Sequence, residues 1–153
     1  MACVFTNYLN QQLLTDALAS VTSGDFAGIL KVAKAVLFTN NIIPTATTLY
    51  ADLTLPTYAG YAAQVCTFGA AYRRNEGGFA TNSLFLKWQM SDAVVPSIIY
   101  GVGITDGGGT PKLLSCELFA DGPITLLDAL DAFYTSTQIA IGGPDSGTME
   151  VTN

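Results

Sequence analysis

Residues 98–119 read IIYGVGITDGGGTPKLLSCELF, and this stretch decides the fold class. Two apolar runs rich in Ile, Val and Leu flank the loop Asp106-Gly107-Gly108-Gly109. Glycine adopts the positive φ angles that hairpin loops need, so the pattern predicts two antiparallel strands joined by this loop. A phosphate-binding loop is not indicated, because the Gly-Lys-Ser/Thr order is absent and a strand follows where that motif requires a helix.

Similar short apolar runs, separated by Gly, Pro, Asn and Asp, occur on both sides of the hairpin. They predict strands at residues 33–39, 48–55, 62–73, 78–89, 97–105, 113–119 and 137–141. Residues 126–133 fit a short helical turn as well as a strand. About seven strands at this spacing are typical of an antiparallel β-sandwich or a jelly-roll-like domain.

The N-terminal segment has a different periodicity. Between residues 6 and 23, apolar side chains recur at spacings of three to five, which predicts one α-helix with an apolar stripe. The stripe packs either on the rest of the domain or on a neighbouring subunit. We therefore expect a helical segment over residues 1–30 and a β-sandwich domain over residues 31–153, forming one compact unit. The stripe contains Leu9, Leu13, Leu14, Ala17, Leu18 and Val21.

The chain carries few charges for its size. Charged residues make up 12% of the 153 residues, against a typical value of about 25%. A folded monomer of this mass exposes about 7,400 Å², so the charges are spaced at one per roughly 410 Å². Such a surface favours coverage by other subunits, although Thr, Ser, Asn and Gly could equally cover it. A net charge of −6 disfavours nucleic-acid binding, and no apolar run reaches the ~20 residues of a membrane span.

The residues that most enzymes use are scarce. The sequence contains no histidine, which excludes Ser-His-Asp and Cys-His nucleophile activation and removes the commonest zinc ligand. Asp128 and Asp131 are the closest carboxylate pair by sequence, and two solvated turn residues explain them better than acid–base catalysis does. The cysteines match no metal or redox spacing. We therefore expect no enzyme activity, no metal site and no cofactor.

Three segments resemble small virion proteins of tailed bacteriophages. In those proteins a strand, an Asn/Pro corner, an Ala-Asp-Leu/Phe-Thr segment and a Gly-Tyr pair occur in this order. Residues 36–44 (VLFTNNIIP), 49–54 (LYADLT) and 58–62 (YAGYA) match that order, and residues 98–119 are similar to the central hairpin of the family. The resemblance implies a β-sandwich virion component without catalytic residues.

The resemblance also implies partners. A capsid decoration or cement protein would bind the major capsid protein as a homo-oligomer, a dimer or a trimer, on the virion after assembly in the host cytoplasm. A tail or fibre component that binds a receptor or a carbohydrate is the alternative, for which Tyr72, Trp88, Tyr100 and Tyr134 are candidate aromatic residues. The candidate interface residues are Leu9, Leu13, Leu14 and Leu18 of the predicted helix, with Arg73 and Arg74, which lie either in a solvated loop or against an acidic neighbour.

Overall fold

The protein is mainly β, and its strands pair antiparallel. A computed structural model describes residues 4–8, 32–70, 72–73, 79–91, 96–127, 131–141 and 149–152. These ranges contain almost no helix apart from a 3-10 turn at Tyr50–Asp52. The strands within them are β1 (Val4–Phe5), β2 (Lys34–Phe38), β3 (Gln64–Val65), β4 (Tyr72–Arg73), β5 (Phe79–Asn82), β6 (Leu86–Gln89), β7 (Ser97–Ile99), β8 (Gly101–Thr105), β9 (Leu113–Leu118), β10 (Ile124–Leu126), β11 (Ala132–Ile141) and β12 (Met149–Thr152).

The predicted hairpin is confirmed and forms the centre of the first sheet, whose strand order is β1-β9-β8-β2-β3. Strands β8 and β9 pair antiparallel across the glycine loop. Gly107 has a φ of 70°, and a side chain there would collide with the carbonyl oxygen of Val32. The Asp106 carboxylate closes the loop, because its Oδ1 accepts hydrogen bonds from the backbone N–H groups of Gly108 and Lys112.

The second sheet has the order β12-β11-β5-β4, and β6 also pairs with β11. Strands β5 and β6 follow the same side of β11, since Asn82 pairs with Gln138 and Leu86 with Thr135. Three residues, 83–85, therefore face two residues of β11, which is a β-bulge. Strands β7 and β10 form a separate antiparallel pair.

The two sheets are connected by the segment that runs from β3 to β4. Gln64–Val65 pairs with β2 of the first sheet. Phe68 then bridges to Ser83, and Tyr72–Arg73 pairs with β5 of the second sheet. The predicted strand at 62–73 is thus a series of short pairings that passes from one sheet to the other.

Apolar side chains fill two cores, one on each face of the first sheet. The larger core joins the two sheets and includes Leu37 and Val102 from the first, with Trp88 and Phe133 from the second. Neighbouring residues of β2 and β9 point the opposite way and pack under residues 42–55, and this second core contains Val36, Phe38, Leu53, Leu113 and Cys116. Burial on both faces explains why β8 and β9 lack the alternation of apolar and polar residues that a half-exposed strand shows.

Several boundaries differ from the sequence predictions. Residues 48–55 contain the 3-10 turn at Tyr50–Asp52 in place of a strand, and the carboxylate of Asp52 closes this turn by accepting a hydrogen bond from the N–H of Leu49. The predicted strand at 97–105 breaks at Tyr100 into β7 and β8, which belong to different sheets. The ambiguous residues 132 and 133 belong to β11, and the pairing of β1, β10 and β12 was not predicted.

The predicted helix at 6–23 lies outside the described residues, except for residues 6–8. Val4–Phe5, within the predicted N-terminal segment, forms β1 and pairs with β9. Thr6 continues this contact, with its N–H donating to the carbonyl of Leu114. The boundary between segments 1–30 and 31–153 stays a prediction.

Candidate functional site

The described thiols are unsuited to nucleophilic chemistry. Cys66 and Cys116 are buried in the two cores. Burial penalises the thiolate and raises the pKa of Cys66 to about 12 and that of Cys116 to about 11. Both side chains are therefore protonated near neutral pH, and the thiolate is the form that attacks or binds metal.

Three aspartate carboxylates hold the backbone of loops. Asp52 closes the 3-10 turn and Asp106 closes the hairpin loop, as described above. Asp131 accepts a hydrogen bond of 2.6 Å from the N–H of Leu127, and Asp128 lies outside the described residues. Within the described ranges, no three His, Cys, Asp or Glu side chains come together in a way that could hold a metal ion.

A cluster of exposed apolar side chains on the link between the two sheets is the main candidate site. We call it the apolar patch, and it consists of Val32, Val65, Leu84 and Phe85. Their exposed fractions are 54%, 57%, 65% and 78%. An exposed apolar patch on a folded protein is often a contact site for another molecule.

The bulge between β5 and β6 creates one end of the apolar patch. In a regular strand, Leu84 and Phe85 would point to opposite faces of the sheet. The extra residue changes this alternation, so both side chains are exposed while Ser83 before them and Leu86 after them are buried. The bulge thus presents two large apolar side chains next to each other.

Backbone pairing places the other members alongside. The N–H of Leu84 donates to the carbonyl of Thr67, so Leu84 lies beside the exposed Thr67. Val65, two residues earlier, is on the same face of that strand as Thr67. The N–H of Cys66 donates to the carbonyl of Ala33, which continues the pairing of β2 with β3 by one residue. Val32 directly precedes Ala33 and so lies close to this pairing. The apolar patch therefore crosses three adjacent chain segments, with Val32 and Phe85 at its two ends.

A groove of about 720 Å³ is lined by residues 6–8, 46–51 and 109–113. Tyr8 lies on its wall, with its hydroxyl donating to Oδ2 of Asp106 at 3.3 Å. The Lys112 ammonium lies 4.7 Å from the centre of the Tyr8 ring, a cation–π contact. These polar groups are already paired with one another, so the groove presents mainly apolar and hydroxyl surface.

A second groove, of about 600 Å³, is lined by Thr39, residues 54–59, Met90 and residues 96–98. Tyr58 on its wall packs edge to face on Tyr61, with ring centroids 5.5 Å apart. The Tyr61 hydroxyl bonds to the backbone of Leu37, whereas the Tyr58 hydroxyl is buried without a hydrogen-bond partner among the described residues.

The aromatic candidates for carbohydrate binding differ in accessibility. Trp88 is 1% exposed, and its indole N–H donates to the carbonyl of Ala62 at 3.0 Å, so it belongs to the core. Tyr100 is half-buried against the second core. Tyr134 is 52% exposed, and the Lys87 ammonium lies 5.5 Å from the centre of its ring. Tyr134 therefore remains available for stacking on a ligand.

The interface residues predicted from sequence lie largely outside the described part of the chain. Leu9, Leu13, Leu14, Leu18 and Arg74 are not within it, and for Arg73 the structure describes the backbone, which pairs with Phe79 in β4. Their role stays a prediction. The apolar patch was not predicted, because a consecutive apolar run such as Leu84-Phe85-Leu86 is equally typical of a strand that is buried on both faces, as β8 and β9 are.

Comparison with protein-family models, curated proteins and solved structures finds no match for this chain. Its function therefore has to be argued from its own residues. Within the described ranges, no helix combines the length and the apolar character needed to cross a bilayer.

Proposed function

We propose that this protein is a structural component of a tailed-bacteriophage virion, a capsid decoration or cement protein that binds the major capsid shell as a homo-oligomer. The observation that carries the proposal is the apolar patch on a chain with few charges. A protein whose work is association needs exposed apolar surface and does not need catalytic groups. We accordingly propose that the protein is not an enzyme.

The proposed architecture is a β-sandwich of the jelly-roll type. Two antiparallel sheets share one core, and the chain passes from one to the other through residues 64–73. On the opposite side, β12 of the second sheet approaches β9 of the first. These features support a sandwich, and such a fold leaves its outer faces available for neighbouring subunits.

The sparse charge suits a protein that is present in many copies on one particle. Apolar burial contributes about 25 cal/mol per Å² of surface removed from water, whereas like charges on crowded copies repel one another. Thr, Ser and Asn side chains keep the remaining surface wetted without adding net charge. The resemblance of residues 36–62 and 98–119 to phage virion proteins supports this reading.

Binding of the purified protein to expanded capsids that lack it tests the proposal. We expect the protein to co-sediment with such capsids at a fixed ratio to the major capsid protein, and to appear on gels of purified virions. Failure to bind the capsids, together with absence from the virion, would overturn the proposal.

A tail or fibre component that binds a receptor or a carbohydrate is the second candidate. It is favoured by Tyr134, whose exposed ring on β11 could stack on a sugar. Binding to a glycan array that Tyr134→Ala abolishes and Tyr100→Ala leaves unchanged would support this candidate over capsid decoration.

A further inference from the structure

The area of the apolar patch fits the centre of a protein–protein interface. The four exposed fractions given above, applied to side chains with surfaces on the order of 200 Å² each, amount to about 500 Å² of apolar surface. A standard interface buries about 800 Å² per partner, with an apolar core and a polar rim. The patch therefore supplies the core, and the polar side chains around it would supply the rim.

Folding of the monomer does not require these four apolar side chains. On the same segments, Cys66 and Leu86 point inward and fill the core. The outward positions can be polar, as Thr67 and Gln89 show. The Phe85 side chain is largely in water and therefore contributes little to the stability of the monomer. It would contribute to stability only when a partner covers it.

The charge pattern favours a second copy of this chain as the partner. The centre of the apolar patch carries no charged residue. Its charged neighbours in the described part of the chain include Lys34, opposite Val65, Lys87, two residues after Phe85, and Asp106, next to Gly107, which lies against Val32. Lys34 is half-buried, and the Lys87 ammonium is directed toward the ring of Tyr134. In a two-fold contact both copies use the same patch, so an uncharged centre meets another uncharged centre and no like charges are brought together.

We infer that the apolar patch is a two-fold interface between two copies of this chain, with the symmetry axis passing near Thr67. Phe85 and Val32 lie at opposite ends of the patch, so an axis that lies in the interface and runs across the line between them sets Phe85 of one copy on Val32 of the other. The inference rests on the homo-oligomer part of the proposed function and assigns it a surface.

Sedimentation velocity over a concentration series, on wild type and two matched variants, tests the inference. Phe85→Asp places a charge in the patch, and Ile43→Asp places one at a side chain that is 85% exposed on the connection before the 3-10 turn. We expect wild type and Ile43→Asp to dimerise at micromolar concentration, and Phe85→Asp to associate at least about tenfold more weakly. Unchanged circular dichroism and Tm would show that Phe85→Asp is folded.

A cysteine at the proposed axis gives an independent measurement. Two copies of Thr67→Cys would bring their Cα atoms within the roughly 4.4–6.8 Å that a disulfide spans. We expect a covalent dimer after mild oxidation of Thr67→Cys, and none for the exposed control Thr57→Cys or for wild type. Equal cross-linking of the control, no cross-linking of Thr67→Cys, or a wild type that stays monomeric would overturn the inference.

Failure of this inference is distinguishable from failure of the proposed function. A monomeric wild type whose capsid binding is lost in Phe85→Asp would assign the apolar patch to the capsid shell and exclude the second copy. A dimer that requires Phe85 but does not bind capsids would retain the interface and overturn the decoration role.

Discussion

Replacing Tyr58 by phenylalanine removes a hydroxyl that is buried without a hydrogen-bond partner among the described residues. In the unfolded chain this hydroxyl is hydrogen-bonded to water, so we expect folding to cost it that hydrogen bond. Leaving a buried polar group unsatisfied costs about 1–3 kcal/mol. Because Tyr58 is only half-buried as a residue, although its oxygen is shielded, we expect the lower end: Tyr58→Phe should raise the free energy of unfolding by about 1 kcal/mol.

Tyr61 provides the matched control, because the same substitution there removes a hydroxyl that is hydrogen-bonded to the backbone. Its oxygen accepts a hydrogen bond from the N–H of Leu37 at 3.0 Å and donates to the carbonyl of Leu37 at 3.3 Å. Strand β3 pairs with Lys34 and Ala35 of β2 and ends before Leu37. The Tyr61 hydroxyl therefore takes the place of the missing strand neighbour.

Tyr61→Phe leaves the backbone groups of Leu37 unsatisfied inside the protein. We expect the free energy of unfolding to fall by about 1–3 kcal/mol. Both variants keep the aromatic ring, so the edge-to-face contact between residues 58 and 61 is retained in each. Urea unfolding followed by tryptophan fluorescence measures the difference, since Trp88 lies in the shared core.

The two substitutions should therefore change stability in opposite directions. A decrease for Tyr58→Phe as large as that for Tyr61→Phe would refute the reasoning, because it would show that the Tyr58 hydroxyl has a partner in the folded protein. An increase for both variants would refute the role assigned to Tyr61.

Three further outcomes are expected. Gly107→Ala should lower the free energy of unfolding by more than about 1 kcal/mol, because φ is positive there and the Val32 carbonyl occupies the space. Gly109→Ala is the control: residue 109 has open space around it, so the free energy of unfolding in the same urea titration should change little. Burial raises the pKa of Tyr58 from 10.0 to about 12. Between these two pH values only the unfolded state loses the proton, so the free energy of unfolding should fall as pH rises above 10. Tyr58→Phe should reduce this fall, as measured by urea unfolding at a series of alkaline pH values. The two buried thiols should react with a thiol reagent at pH 8 only after denaturant is added, and rapid labelling of native protein, with Cys3 replaced by serine, would contradict their burial.

Local turn chemistry was readable from the sequence, whereas long-range pairing was not. The loop at residues 106–109 is determined by the glycines and by the Asp106 carboxylate, all within a few positions, and its prediction is confirmed. The break at Tyr100 is determined by distant partners, because its N–H donates to the carbonyl of Phe38 and its own carbonyl accepts from Phe119. A continuous apolar run gives no sign that the chain changes sheets there.

The candidate site shows the same division. The run Leu84-Phe85-Leu86 shows locally that either both faces of the strand are buried or one apolar side chain is exposed. The proximity of Phe85 to Val32 could not be anticipated, since 53 sequence positions separate them. Only the pairing of β2 with β3, and of Phe68 with Ser83, brings the two ends of the apolar patch onto one surface. Residues far apart in the chain thus form a site for which no local motif exists.

Folding and self-association depend on different residues of the same chain segment. Leu86 faces the core, where loss of its side chain should lower the free energy of unfolding by about 2–5 kcal/mol. Phe85, its immediate neighbour, faces solvent in the monomer, where a polar replacement should leave stability within about 0.5 kcal/mol. We expect a polar variant at residue 85 to keep its Tm and lose self-association, and a truncated variant at residue 86 to lose stability. This result would show that, at the bulge, one residue serves association and its neighbour serves folding.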